Sequence, residues 1–419
     1  FANLLENNYH TLVSCCVKEA GKTIQDSIAD IREAIDFCRY YAEEAKIIFK
    51  EKHLPGPTGE KNIYQLKGRG LTCVISPWNF PIAIFVGQMI ASLVCGNVTI
   101  AKPAEQTSNL SYVIFRLLLK AGLPNNAAAL ILGKGEEIGP KIFSNMNLQN
   151  VVFTGSFETA KIIQRQLHER DDLINLIAET GGLNCLIADS SALTEHIVED
   201  VINSAFNSAG QRCSACRILC IEENVYKKTI SMLKGAVETL LVSSPENIST
   251  DVGPVIDNSA KEKIINHINK FTKNSHQASV NKEGNFINPT IIEIKNISEV
   301  TEEIFGPVLH VLPFNSKNLV ELCKQIDSLN YGLTLGIHSR IDKVIDTVIK
   351  NTNVGNTYIN RDIVGAVVGS QPFGGHHKSG TGPKAGGPEY LKKFCYEYSI
   401  SNNIVAMGGN VELLTNVID

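Results

Sequence analysis

The sequence predicts an α/β fold of parallel sheets with helices on both faces, on three observations. Short apolar runs alternate with stretches of helical period between residues 71 and 178. The same alternation resumes at about 183 and continues to 350. Glycine-bearing turns, Gly133-Lys134-Gly135 and Phe153-Thr154-Gly155-Ser156, follow strands and open helices. On sheets of this kind, ligands bind at the carboxyl ends of the strands.

In chain order, residues 1–50 read as helical, with Ile24, Ile28, Ile31 and Ile35 recurring at helical spacing. Pro55-Gly56-Pro57-Thr58-Gly59 breaks that pattern. A weakly alternating stretch at 60–67 precedes a buried strand at 71–75. Helices near 82–94, 108–121, 136–143 and 157–168 then separate strands at 98–101, 128–132, 150–153 and 173–178. In the second series, strands fall at 184–188, 217–221, 308–312 and 333–337. Its helices lie near 193–208, 225–240, 258–272, 317–328 and 341–350. Residues 359–388, rich in glycine, read as loop, and the tail from Tyr396 to 406 reads as a strand at an interface.

The 419 residues are 43% hydrophobic and 20% charged, with a formal net charge of −4, an ordinary globular balance that argues against a nucleic-acid binder. The eleven cysteines are odd in number and show no framework spacing, which fits free thiols in a reducing, cytoplasmic compartment. No signal peptide is evident, and the chain opens on Phe1 inside a helical pattern, as a piece of a longer protein would. Residues 81–101 carry no charge and are long enough to cross a bilayer. However, Gly96-Asn97 reads as a helix stop, so we expect a buried helix followed by a core strand and no transmembrane segment.

Two segments carry the chemistry. Gly210-Gln211-Arg212-Cys213-Ser214-Ala215 offers a thiol among polar neighbours, and a cation beside a partly open thiol favours its ionisation. Ala178-Glu179-Thr180-Gly181-Gly182 offers a carboxylate at the end of an apolar strand, before two glycines that let other groups approach closely. Together they can form a thioester and then hydrolyse it. Cys213 and Cys216 also read as a CxxC pair, but no second pair or histidine set completes a metal site. If 217–221 is a strand, Cys216 and Cys220 share its core face. Asn79, in Ser76-Pro77-Trp78-Asn79-Phe80-Pro81, reads either as a turn residue or as an amide donor to a developing oxyanion. Lys102 and Glu105, after the strand at 98–101, read either as ribose contacts or as an exposed charged turn.

Taken together and in order, ISPWNFP (75–81), KPAE (102–105), FTGS (153–156), AETGG (178–182), GQRCSA (210–215), EEIFGP (302–307) and QPFGG (371–375) resemble the aldehyde dehydrogenase superfamily. Within it, REAIDFCRYYAEEA (32–45), VGAVVGSQPFGG (364–375) and SGTGPKAGGPEY (379–390) most resemble the glutamate-γ-semialdehyde (pyrroline-5-carboxylate) dehydrogenase branch. In some members of that branch the catalytic module accompanies a proline dehydrogenase module, which is absent here.

The resemblance implies a Rossmann-type NAD-binding domain (1–54 and 71–180), an α/β catalytic domain (181–390) and a small β oligomerisation element (55–70 and 391–419). It implies Cys213 as nucleophile, Glu179 as general base, and Asn79 with the Cys213 N–H as oxyanion donors. It assigns Ile75, Pro77, Trp78, Lys102, Glu105, Gly135, Thr154, Gly155, Ser156, Gly181, Glu303 and Phe305 to NAD. Glu33, Ser214, Gly365, Ala366 and Phe373 are assigned to a small-molecule substrate, and no residue to a metal. The implied assembly is a homodimer or a higher oligomer, and the implied reaction is oxidation of glutamate-γ-semialdehyde, with succinate semialdehyde as the alternative substrate. A non-catalytic member of the fold is the other alternative. Ala160 departs from the glycine that many members carry in the helix after FTGS.

Overall fold

A computed structural model describes residues 1–277 and 283–407. Two sheets organise them. The first runs in the order Ala128–Leu130, Val98–Lys102, Leu71–Ile75, Leu148–Gly155, Asn175–Thr180, all parallel. The second has seven strands, Ser275–Gln277, Thr290–Glu293, Val308–Phe314, Cys216–Glu222, Asn184–Ala188, Thr334–His338 and Asn356–Ile359, parallel except at the first edge.

Helices cover both faces, so the strands are buried on both sides. Cys216–Glu222 is buried at every position. Cys216 and Cys220 therefore lie in core as expected, but Arg217, Leu219 and Ile221 on the opposite face are buried too. The uncharged stretch folds as expected into the helix Ala83–Val94 and the strand Val98–Lys102, with Gly96 left-handed (φ +81°) at the turn between them. Among the described residues no helix is long and apolar enough to cross a membrane.

The long N-terminal helix Ile24–Ile48, which follows the shorter helices Ala2–Asn7 and Tyr9–Ala20, starts at a Thr23 cap whose side chain accepts from Asp26 N–H. Its buried residues include Ile31, Ala34, Ile35, Cys38, Tyr41 and Ala45, and Gly87 lets Phe37 lie directly on the helix Ala83–Val94.

Several boundaries differ from expectation. The strand expected at 173–178 is Asn175–Thr180, because the segment 378–381 pairs with its end. Thr180 N–H donates to Ser379 O (2.9 Å) and Thr381 N–H to Ala178 O (2.8 Å). The strand expected at 150–153 runs through Thr154 and Gly155. Thr290–Glu293 and Asn356–Ile359 give no alternation signal, being four-residue strands inside a larger sheet. His376–His377, within the stretch read as loop, pairs with Tyr331–Gly332. Lys52–Leu54, Glu60–Gly68 and Cys395–Asn403 form an antiparallel ribbon, so residues 52–54 pair with that ribbon rather than with either sheet. Residues 408–419 of the expected C-terminal element lie outside the described residues.

The segment 363–386 bridges the two sheets and is tied to the N-terminal helix by one bond, from Gly386 N–H to the Tyr41 hydroxyl (2.9 Å). Tyr41 is fully buried. Replacing it by phenylalanine strands that N–H, so Tyr41→Phe is expected to lower unfolding free energy by about 1–3 kcal/mol. Urea denaturation measures this, and an unchanged midpoint would show that the bond contributes nothing.

Candidate active site

Cys213 follows a turn that L-residues rarely adopt. After the helix Thr194–Phe206, Ser208 (φ 55°), Ala209 (φ 55°) and Gly210 (φ 66°) are all left-handed. At Gly210 a Cβ would collide with the Gly306 carbonyl, so only glycine fits. Side chains lock the loop on both sides. Gln211 Oε1 accepts from Ile256 N–H (2.9 Å), and Asn184 Nδ2 donates to the Cys213 carbonyl (2.6 Å).

Glu179 reaches the same place from the other sheet. Its Oε2 accepts from Gly375 N–H (3.1 Å), and a Cβ at Gly374 or Gly380 would sit 2.9 or 2.8 Å from its carboxylate. Glycines thus cradle the carboxyl group, and its other oxygen has no hydrogen-bond partner among the described residues.

Cys213, Ser214, Glu179, Glu33, Gly365, Ala366 and Phe373 line one cavity of about 470 Å³, with Arg32, Phe37, Phe80 and Thr154 among the other walls. Asn79, expected at the site, is not among the residues that line this cavity and is held at both ends. Its Nδ2 donates to Gln211 O (3.1 Å), next to the nucleophile's loop, and its carbonyl accepts from Lys22 Nζ (2.9 Å).

The electrostatics of the thiol differ from expectation. Arg212 does not serve Cys213. Its guanidinium binds the Asp26 carboxylate (2.7 Å) and the Ser208 hydroxyl (3.0 Å), both buried. Burial, with the carboxyls of Glu303 and Glu179 adding to it, pushes the Cys213 thiol up to about 12. Burial likewise lifts Glu179 well above the usual carboxylate range, opposed by the Gly375 N–H and the Lys384 charge. Glu33 is raised to about 7, by burial first and by Asp30 second.

A second cavity of about 620 Å³ adjoins the first at Thr154. It is lined by Ile75, Pro77, Trp78, Lys102, Glu105, Gly135, Gly155 and Ser156. Lys102 is buried and pairs with Glu105 (3.4 Å), which is itself exposed, so the exposed-turn reading fails for Lys102 only. Ser156 caps the twelve-residue helix Phe157–His168 by accepting from Thr159 N–H (3.1 Å). Gly135 opens the helix Gly135–Phe143, and a Cβ there would approach Lys102 Nζ to 3.8 Å. A helix N-terminus and a buried lysine paired with an exposed glutamate suit a phosphorylated, ribose-bearing group.

Glu303 and Phe305 stand outside both linings but beside them. Phe305 packs edge-on against Trp78 (centroids 5.6 Å apart). Glu303 pairs with Arg217 (3.2 Å), and a Cβ at Gly181 would collide with its carboxylate, so Gly181 serves the approach of Glu303.

Sequence reasoning missed the buried ions around the site: Lys22, Asp26, Asp30 and Arg217. Lys22 pairs with Asp30 (3.3 Å). A signal for part of this set was present, since Asp26, Asp30 and Glu33 recur at spacings that put three acids on the inner face of one helix.

Known proteins resemble this chain over most of its length. The profile of the Aldehyde dehydrogenase family matches residues 1–400. The bifunctional protein PutA of Salmonella typhimurium is 47% identical over 407 residues, covering 93% of this chain and 30% of that protein. The chain thus spans about 30% of the length of such PutA relatives. A 1-pyrroline-5-carboxylate dehydrogenase of a Geobacillus species is 36% identical over 401 residues, covering 93% of this chain and 77% of that protein. Among solved structures, Bradyrhizobium japonicum proline utilization A superposes with a TM-score of 0.95 at 46% identity, over 97% of this chain and 42% of that one. A 1-pyrroline-5-carboxylate dehydrogenase from Thermus, solved with bound NAD, superposes with a TM-score of 0.91 at 32% identity, over 96% and 80%.

The raised thiol has a direct consequence. Iodoacetamide should alkylate Cys213 slowly at neutral pH, with a rate rising about tenfold per pH unit up to pH 9. Peptide mass spectrometry reads the rate. Levelling near pH 8 would contradict the burial account.

Proposed function

We propose that this chain, which belongs to the aldehyde dehydrogenase family, oxidises L-glutamate-γ-semialdehyde to L-glutamate with NAD, the second step of proline catabolism. The observation that carries the proposal is one cavity lined by Cys213, Glu179 and Glu33 and adjoining the second cavity at Thr154. The similarity to PutA and to 1-pyrroline-5-carboxylate dehydrogenases supports the choice of substrate.

The residues of the second cavity suit NAD. Lys102 and Glu105 would take the adenosine ribose, and the Glu105 carboxylate would repel a 2′-phosphate. Gly155 and Ser156 at the helix start would take the pyrophosphate. Glu303, with Phe305 and Gly181 beside it, would hold the nicotinamide end. NAD supplies the hydride acceptor when bound.

The remaining steps belong to the chain. Glu179, whose burial raises its proton affinity, removes the Cys213 proton. The sulfur bonds to the aldehyde carbon, and the alkoxide is met by the Cys213 N–H and the second N–H of the Asn79 amide. Loss of hydride from that carbon leaves a thioester. Glu179 releases that proton to solvent and then takes one from water, whose oxygen attacks the thioester; the C–S bond breaks, and Glu179 returns the water proton to the Cys213 sulfur. Ser214 and the backbone at Gly365 and Ala366 would hold the substrate's α-carboxylate, Glu33 would face its ammonium group, and Phe373 would wall the carbon chain.

The same reading extends to assembly and setting. The strand Cys395–Asn403, exposed along the edge of the antiparallel ribbon, suits pairing with another copy in a homodimer. A proline dehydrogenase module would accompany this one in a full-length PutA-like protein. Eleven free cysteines suit a reducing, cytoplasmic setting.

The test is NADH formation from a panel of semialdehydes. Wild type is expected to prefer glutamate-γ-semialdehyde over succinate semialdehyde, and Cys213→Ala to form no NADH while unfolding at the wild-type temperature. Turnover by Cys213→Ala would refute the nucleophile, and preference for succinate semialdehyde would refute the substrate.

A further inference from the structure

Arg217 is the largest side chain that is almost fully buried, at 1% exposure. It projects from Cys216–Glu222, the central strand of the seven-stranded sheet. Its guanidinium touches two loops, and each terminal nitrogen touches both. Nη1 donates to Gly210 O (2.7 Å) and to Gly306 O (3.1 Å). Nη2 donates to Arg212 O (3.0 Å) and to Glu303 Oε1 (3.2 Å). Gly210 and Arg212 belong to the loop that ends in Cys213, whereas Glu303 and Gly306 belong to the loop that carries Phe305. The cation also lies 5.3 Å from the Phe305 ring centroid. The base of the side chain is fixed as well, since His310 Nδ1 meets the Arg217 carbonyl (3.1 Å).

We propose that Arg217 is a positioning residue that fixes the nucleophile's loop to the loop gripping the nicotinamide end of the cofactor, and so sets the distance across which hydride leaves the substrate. This rests on the functional reading above. Simple neutralisation of Glu303 would need only one nitrogen facing one carboxylate. The observed fork instead pairs one acceptor from each loop on each nitrogen, which a planar guanidinium can do and a single ammonium cannot. The two loops also touch directly, because Gly210 lies against the Gly306 carbonyl where a Cβ would not fit. A shift of either loop would therefore be felt by the other, through this side chain and through that contact.

The test compares wild type with Arg217→Lys in two reactions at Cys213. One is NADH formation from the semialdehyde. The other is hydrolysis of 4-nitrophenyl acetate without NAD, which needs the thiol and Glu179 but not the second loop. For Arg217→Lys, kcat for NADH is expected to fall at least about tenfold and by several-fold more than ester hydrolysis does, with the aldehyde KM unchanged. Parallel loss of both reactions, or retention of both, would overturn the proposal. If Arg217→Lys does not fold, Arg217→Gln is read in the same way. Hydrogen exchange on the unmutated protein adds an independent arm. NAD should slow exchange in 208–213 together with 302–307, and slowing confined to 302–307 would contradict the bridge. An inert wild type would overturn the functional reading as well, which separates that failure from failure of Arg217 alone.

Discussion

Cys213 shares its cavity with the Glu179 carboxyl and feels that of Glu303 from beside it, while the cation next to it in sequence, Arg212, is bound to Asp26. Only the Ser214 backbone N–H favours the thiolate, and burial outweighs it. Burial and two acidic neighbours keep the proton on sulfur, so the nucleophile depends on a base in the same cavity. Glu179 meets that need through its own burial, because a carboxylate denied water binds a proton more tightly. A single low-dielectric cavity thus suppresses idle reactivity of the thiol and strengthens the base that activates it.

The fold keeps these groups together although they come from different sheets. Glu179 sits at the carboxyl end of an edge strand of the first sheet, and Cys213 precedes the central strand of the second. The segment 363–386 closes the gap. It supplies Gly375 N–H to Glu179, adds strand-like bonds to residues 178–180, and meets the N-terminal helix at Tyr41. That helix, through Asp26 and Asp30, holds Arg212 and Lys22 and so braces the loop of Cys213 and the turn of Asn79. The buried ion pairs act as braces between segments, and breaking one would leave an uncompensated buried charge.

Much of this was legible in the sequence. The alternation of apolar runs and helical periods marks the two series of strands, since parallel strands covered on both faces are continuously apolar. Cys213 and Glu179 stand out because polar or catalytic groups interrupt otherwise small or apolar segments. What stayed hidden depends on partners distant in the chain. Arg212 beside Cys213 reads as an activating cation, and only the fold brings Asp26 to it. Arg217 reads as one polar residue in an apolar strand, because its acceptors at Gly306 and Glu303 arrive from a loop nearly ninety residues away. Short strands such as Thr290–Glu293 carry too few residues for alternation to register, and they owe their conformation to the neighbours they pair with.

The division of labour between sulfur and carboxyl is tested most directly with Glu179→Gln under single-turnover conditions. With the semialdehyde and NAD, slow deprotonation at high pH should still allow one equivalent of NADH to form. The glutamyl thioester should then remain on Cys213, visible as a mass increase on its peptide. Continued turnover at the wild-type rate, or an adduct on any other cysteine, would contradict the account.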